Sequence, residues 1–175
     1  METTSSREVY RNPWTRVRED TVVLADGSTG VYGVVERPDY AVVLPAQDDG
    51  FWLVEQYRHP LGRRSWEFPQ GGWPPGHTGS AEDLARTELA EETGFRAGRL
   101  RHLGRLDDAP GLSTQRFDVW LATDLTPGPP AREASEADMV QALVAERELV
   151  ARIRSGGITD ASTLAAYALL LVDRA

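Results

Sequence analysis

The chain has no cysteine and no lysine; all nineteen of its basic residues are arginine. Without cysteine there is no disulfide and no thiolate-bound zinc, which agrees with a cytoplasmic protein. Without lysine, every side-chain cation is a planar fork suited to carboxylate or phosphate, although this carries little weight alone. Long apolar runs are also missing: none approaches the roughly 18–20 residues of a membrane span, and METTSSREVY has no signal-peptide core. Positive charge is scarce, and a net charge of −8 argues against a nucleic-acid backbone as partner. A small molecule is the expected ligand, with no membrane and no nucleic acid. With 175 residues, 41% hydrophobic and 26% charged, the chain reads as one globular domain over 1–175.

What is present is alternation between turn signals. Glu8–Tyr10, Arg16–Leu24, Val31–Glu36, Tyr40–Leu44 and Phe51–Tyr57 read as strands, separated by Ala25-Asp26-Gly27, Arg37-Pro38-Asp39 and Asp48-Asp49-Gly50. Leu100–Leu106, Phe117–Ala122 and Met139–Val144 predict further strands. Glu146–Arg154 predicts a helix stopped by Gly156-Gly157, and Asp160 caps a last helix running through Val172. This order predicts an α+β fold with a mixed β-sheet. Thr126–Ala137, TPGPPAREASEA, has three prolines and no period, and a structureless run of this length inside a compact domain predicts an active-site loop.

The stretch organising the chain is residues 67–95, EFPQGGWPPGHTGSAEDLARTELAEETGF. Ser80 caps a helix with Asp83 three residues on, and Gly94 supplies a left-handed stop. At helical spacing Glu91 and Glu92 both lie beside Glu88, so three carboxylates share a patch, while Leu84 and Leu89 face a core and the glutamates face outward. Such crowding repels unless a cation neutralises it. Oxygen ligands without histidine or cysteine suit Mg²⁺ or Mn²⁺, and Mg²⁺ held by few carboxylates usually works on phosphates.

This stretch resembles the Nudix box: a Gly, five residues, a Glu, seven residues, then R-E-U-x-E-E-x-G-U, where U is aliphatic. Glu88-Leu89-Ala90-Glu91-Glu92-Thr93-Gly94-Phe95 matches its second half, and Gly71 resembles its opening glycine. The chain departs from the pattern in three places. His77 stands where the first Glu belongs, two extra residues lie between Gly76 and the helix, and Thr87 replaces the Arg that braces the glutamates. The resemblance implies a Nudix α/β/α sandwich with a mixed β-sheet and a divalent ion on Glu88, Glu91 and Glu92. The backbone carbonyl of Gln70 or Gly71 completes that ligand set.

Beyond the box, the chain is similar to the ADP-ribose pyrophosphatase branch of the family. Gln56-Tyr57-Arg58, Glu67-Phe68-Pro69, Ala109-Pro110-Gly111 and Gly157–Leu164 carry the resemblance, with Pro110 sixteen residues after Gly94. It implies Mg²⁺-dependent hydrolysis of a nucleotide sugar, foremost ADP-ribose to AMP and ribose 5-phosphate. The alternatives are a diphosphatase for another nucleotide sugar, a dinucleotide or a nucleoside triphosphate, and a module that binds ADP-ribose without cleaving it. Arg58, at the end of a strand, is the candidate for phosphate, Glu67 for a sugar or metal, and Pro110 and Gly111 for the substrate loop. Tyr10, Trp14 and Trp73 are candidate stacking surfaces.

Metal-bound glutamates are poor bases, because an adjacent cation holds them ionised. The proton acceptor is therefore sought among Glu133, Glu136 and Asp138, with the resemblance favouring Glu136; failing these it is a box glutamate, with Glu91 the candidate. The resemblance also implies a homodimer, in which the strands before Gly50 help build the partner's site.

Overall fold

The computed structural model describes residues 1–132 and 136–175. Glu133 lies outside the described residues. Three strands open the chain: β1 (Glu2–Arg11), β2 (Arg16–Val23) and β3 (Thr29–Glu36), paired antiparallel in the order β1-β2-β3. After the break at Arg37-Pro38-Asp39, β4 (Tyr40–Gln47) starts a separate, larger sheet rather than continuing the first. It is followed by β5 (Gly50–Arg58), β6 (Arg63–Glu67), β7 (Gln70–Gly71), α1 (Ala81–Thr93), β8 (Arg96–Asp107), β9 (Arg116–Thr126), β10 (Val140–Ala145), α2 (Glu146–Arg154) and α3 (Ala161–Asp173). The large sheet runs β10-β5-β4-β9-β8, with β6 joined to β5 and β7 to β4. Within the large sheet β4 pairs with β9 in parallel and the other strand pairs are antiparallel, which makes the sheet mixed.

Strand β4 is central because both of its faces are apolar. Val42 and Leu44 join Leu149, Ile158, Ala166 and Leu170, from α2, α3 and their connection, in one core. Ala41 and Val43 join Leu84, Ala85 and Leu89 of α1 in another. Near-continuous apolar sequence marks a strand covered on both sides, and the result is the α/β/α sandwich expected. Gly50 shows how tightly β5 and β10 meet: a Cβ there would lie 2.3 Å from Val144 O.

Several strands are longer than their sequence patterns indicate, most of all β1, β8 and β9, the last running over Arg116–Thr126 instead of Phe117–Ala122. β1 starts at Glu2 instead of Glu8 and is exposed along its whole length, so it carries no apolar alternation; pairing with β2, Glu2 opposite Val23, defines it. β8 spans Arg96–Asp107, with a bulge between His102 and Gly104 that breaks its period. Among the described residues, no helix is long and apolar enough to cross a membrane.

Candidate active site

Helix α1 forms where its signals fall. Ser80 Oγ accepts the Asp83 N–H at 3.0 Å, and Gly94, at φ +78°, donates its N–H to Ala90 O. The carbonyls left over at the end of the helix are taken by the loop after β9. Ala131 N–H donates to Glu91 O and Arg132 Nε to Glu92 O, each at 2.9 Å, and Arg132 Nη1 donates to Met139 O. The loop is thereby strapped across the glutamate helix, and Glu136 comes close enough for its charge to act on Glu92.

The glutamates do not all face outward as the helical pattern suggested. Glu92 is 1% exposed and Glu88 9%, while Glu91 is half-buried. The reason is tertiary: α1 packs on β4 and passes β7, so its covered face extends beyond Leu84, Ala85 and Leu89 to the carboxylates. Beneath Glu88, β7 runs so close that a Cβ on Gly71 would lie 2.5 Å from Glu88 Oε2. A residue with any side chain would displace that carboxylate.

Glu92 Oε2 accepts the Gln70 N–H at 3.2 Å, whereas Oε1 is buried without a hydrogen-bond partner. Burial pushes the Glu92 carboxyl well above its ordinary value, and the charges of Glu88, Glu136 and Glu67 push it the same way. Leaving such an oxygen uncompensated is costly. Among the described residues, the acids are not drawn into a ready-made coordination shell. The orphaned oxygen and the all-oxygen donor set nevertheless fit a hard divalent cation better than any soft metal. Glu88, Glu91, Glu92 and the carbonyls of Gln70 and Gly71 are the groups that could hold it.

Beside this cluster lies a second one. Arg58 Nε donates to both oxygens of Glu67, at 3.0 and 3.2 Å, and Nη2 donates to Oε2 at 2.5 Å. Gln70 Nε2 donates to the same Oε2 at 2.5 Å and to Asp160 Oδ2 at 3.2 Å. Asp160 Oδ2 also caps α3 by accepting the Thr163 N–H at 2.8 Å. Burial raises the Glu67 carboxyl, and Arg58 and Gln70 oppose that shift. Arg58 thus stands in an ion pair while also lining a cavity of about 720 Å³.

That cavity runs past Gln70 and Gly71 and is lined by the guanidinium-bearing Arg37, Arg58 and Arg63 and by the aromatic Trp14, Tyr40 and Trp73. No motif marks Tyr40, Arg37, Arg63 or Asp108. Tyr40 has an apolar strand position, but its hydroxyl reaches Asp108 Oδ1 at 3.0 Å and Ser162 Oγ at 2.7 Å. A polar tip on an otherwise apolar strand is the one signal that could have pointed to it.

Other candidates are placed elsewhere. Pro110 and Gly111 are exposed and do not line the cavity. Their loop carries the first sheet: Tyr32 Oη donates to Gly111 O at 3.0 Å and Val35 N–H to Leu112 O at 2.9 Å. Asp108 and Gln115 from the same loop do reach the cavity. Asp138 is exposed and pairs with Arg64 at 2.5 Å. Tyr10 is exposed and accepts from Asn12, away from the cavity. Arg86 donates to Glu82 and Ala97 O, outside the glutamate cluster.

Comparison with known proteins gives two adjoining family matches. Residues 1–35 match the nucleoside diphosphate sugar hydrolase N-terminal domain and residues 36–165 the NUDIX domain, so the junction falls where the first sheet ends. An ADP-ribose pyrophosphatase of Mycobacterium tuberculosis is 34% identical over 172 residues, covering 94% of this chain and 80% of that protein. An ADP-ribose pyrophosphatase of Bacillus subtilis is 31% identical over 152 residues, covering 86% and 80%. A crystal structure of an ADP compounds hydrolase superposes with a TM-score of 0.83 at 23% identity, covering 98% of this chain and 91% of the other, which bears on the fold.

Proposed function

Since the chain belongs to the NUDIX family of hydrolases, we propose that it cleaves the diphosphate of ADP-ribose, giving AMP and ribose 5-phosphate with Mg²⁺ or Mn²⁺. The observation that carries this reading is the orphaned, buried oxygen of Glu92 among Glu88, Glu136 and Glu67, next to a cavity bearing three arginines and three aromatic rings. The names of the two curated relatives point to the same substrate.

The parts divide the work. Glu88, Glu91 and Glu92 would hold the cation with the carbonyl of Gln70 or Gly71, and a divalent ion there would supply positive charge against the diphosphate and the departing oxygen. Arg58, fixed by Glu67, presents its guanidinium to a phosphate. The rings of Trp14 and Tyr40 offer flat surfaces to a base or sugar, and the indole of Trp73 bounds the same cavity. Glu136 accepts a proton as water oxygen bonds to phosphorus and the bridging P–O bond breaks. Glu133 and Asp138 are the remaining loop acids, and Asp138 is occupied by Arg64.

We further propose a homodimer built on the first sheet. β1 is a ten-residue edge strand with every residue exposed, a form that soluble proteins usually cover. A cytoplasmic location is consistent with the absence of cysteine.

The test is product analysis. The purified protein incubated with ADP-ribose should yield AMP and ribose 5-phosphate with Mg²⁺ and nothing with excess chelator. Tight binding of ADP-ribose with no product under either condition would replace the enzyme by a sensor. Light scattering at micromolar concentration should give twice the 19.3 kDa chain mass; a single-chain mass rejects the dimer.

A further inference from the structure

Two cavities meet at one wall. The larger, about 720 Å³, passes Arg58 and Gly71. The other, about 360 Å³, lies between the 73–79 loop, the first turn of α1 and the Asp39, Arg105 and Asp118 side chains. Both volumes lie within the roughly 300–1,000 Å³ of small-molecule sites. Pro38, Tyr40 and Trp73 line both cavities.

Two of these three residues are pinned by the rest of the fold. Pro38 O accepts Gln115 Nε2 at 2.6 Å. Tyr40 stacks on Phe117 with ring centroids 5.0 Å apart, and its hydroxyl bonds to Asp108 and Ser162. Trp73 is supported differently. It stands outside any strand or helix, and its indole rests on Gly79, where a Cβ would lie 2.6 Å from Cζ2. A turn closed by His77 N–H on Pro74 O, at 3.0 Å, folds the loop back toward that contact. The ring also packs against the core of Ala41, Val43, Leu84 and Leu89, but its loop lies outside the sheet, so the wall at Trp73 is set by side-chain contacts and not by strand pairing.

We propose that Trp73 is a specificity-determining residue: its indole, seated on Gly79, lies between the two cavities and limits the size of the group that the diphosphate carries on that side. This rests on the ADP-ribose reading above. With the indole in place, the larger cavity ends at Trp73. With it removed, the two spaces join and a second nucleoside is admitted. A single methylene in an apolar pocket is discriminated by about ten- to two-hundredfold, and a nucleoside held off by a wall is expected to reach at least the lower of these.

The experiment compares ADP-ribose with diadenosine diphosphate on wild type, Trp73→Ala, Trp73→Phe and Gly79→Ala, each checked for folding by circular dichroism. The ratio of kcat/KM, dinucleotide over ADP-ribose, should rise about tenfold or more in Trp73→Ala. It should rise less in Gly79→Ala, where the new methyl displaces the ring, and return toward wild type in Trp73→Phe. The change should sit in KM for the dinucleotide. If Trp73→Ala fails to fold, Gly79→Ala decides. An unchanged ratio in a folded variant, with wild type cleaving ADP-ribose, overturns the role of Trp73 and leaves the proposed function standing. A wild type that cleaves neither compound overturns both.

Discussion

The backbone N–H of Gln70 donates to Glu92 Oε2 at 3.2 Å, joining residues twenty-two positions apart across β7 and α1. The Gln70 carboxamide meanwhile holds Glu67, which holds Arg58. One two-residue strand thus sets both the acid cluster and the arginine that would face phosphate. Loop and helix act as one unit because β7 is pinned to β4 on its other side, Val42 opposite Gln70 and Ala41 opposite Gly71.

Neutralising Glu92 should abolish activity and stabilise the metal-free protein. Burial first, then the charges of Glu88, Glu136 and Glu67, raises this carboxyl above its ordinary 4.5 in the folded state. The folded chain therefore binds the proton more readily than the unfolded one. Stability from this group is complete below pH 4.5 and is lost as pH rises through the raised folded value. In chelator, the melting temperature of Glu92→Gln should exceed that of wild type, by a margin that widens from pH 5 upward. Mg²⁺ should narrow the margin by stabilising wild type alone. A margin independent of both pH and Mg²⁺ rules out this account of Glu92.

Separating Arg58 from Glu67 should cost stability as well as activity. Removing one partner leaves a carboxylate that is 1% exposed without its ion pair. Because Arg58 remains 37% exposed, screening reduces the loss below that of a fully buried pair. Arg58→Ala should lose about 2–3 kcal/mol, read as a lower urea midpoint. Glu67→Leu combined with Arg58→Met should recover most of the stability and none of the hydrolysis. If the single variant unfolds at the wild-type midpoint, the pair has no structural role.

Much of this arrangement was legible in the residues. The cap at Ser80, the stop at Gly94 and the Asp160 cap rest on local hydrogen bonding, and all three stand where the sequence puts them. The three glutamates were legible as a set but not in their burial, because helical spacing tells which residues share a face and not what that face meets. Glu92 is covered by β7 and the loop that Arg132 ties down, contacts with partners 22 and 40 residues away. Asp108 and Tyr40 were hidden for the same reason: neither lies in a motif, and they meet 68 residues apart. The full length of β1 was illegible because an exposed strand needs no apolar alternation.

The last prediction concerns the proton acceptor. In the loop after β9, Arg132 donates both to Glu92 O, at 2.9 Å, and to Met139 O, and Met139 N–H closes a turn on Glu136 O at 2.9 Å. Glu136 acts electrostatically on Glu92, whereas Asp138 is 63% exposed and pairs with Arg64. A base must lie near the metal carboxylates, and since the charge of Glu136 bears on Glu92 while Asp138 pairs with Arg64, we propose Glu136 for that role. Glu136→Gln should lower kcat by about a hundredfold or more while KM and Mg²⁺ affinity stay near wild type. Asp138→Asn should keep kcat within about threefold of wild type, since its partner lies away from the cluster. Removing Arg132 gives an independent check. Arg132→Ala keeps Glu136 but releases the strap on the helix end, so kcat should fall with the carboxylate still present, and Arg132→Lys should restore part of it. If Glu136→Gln is fully active and Glu133→Gln is not, the role moves within the loop; if every loop variant is active, it passes to a box glutamate, with Glu91, the least buried of the three, as the candidate.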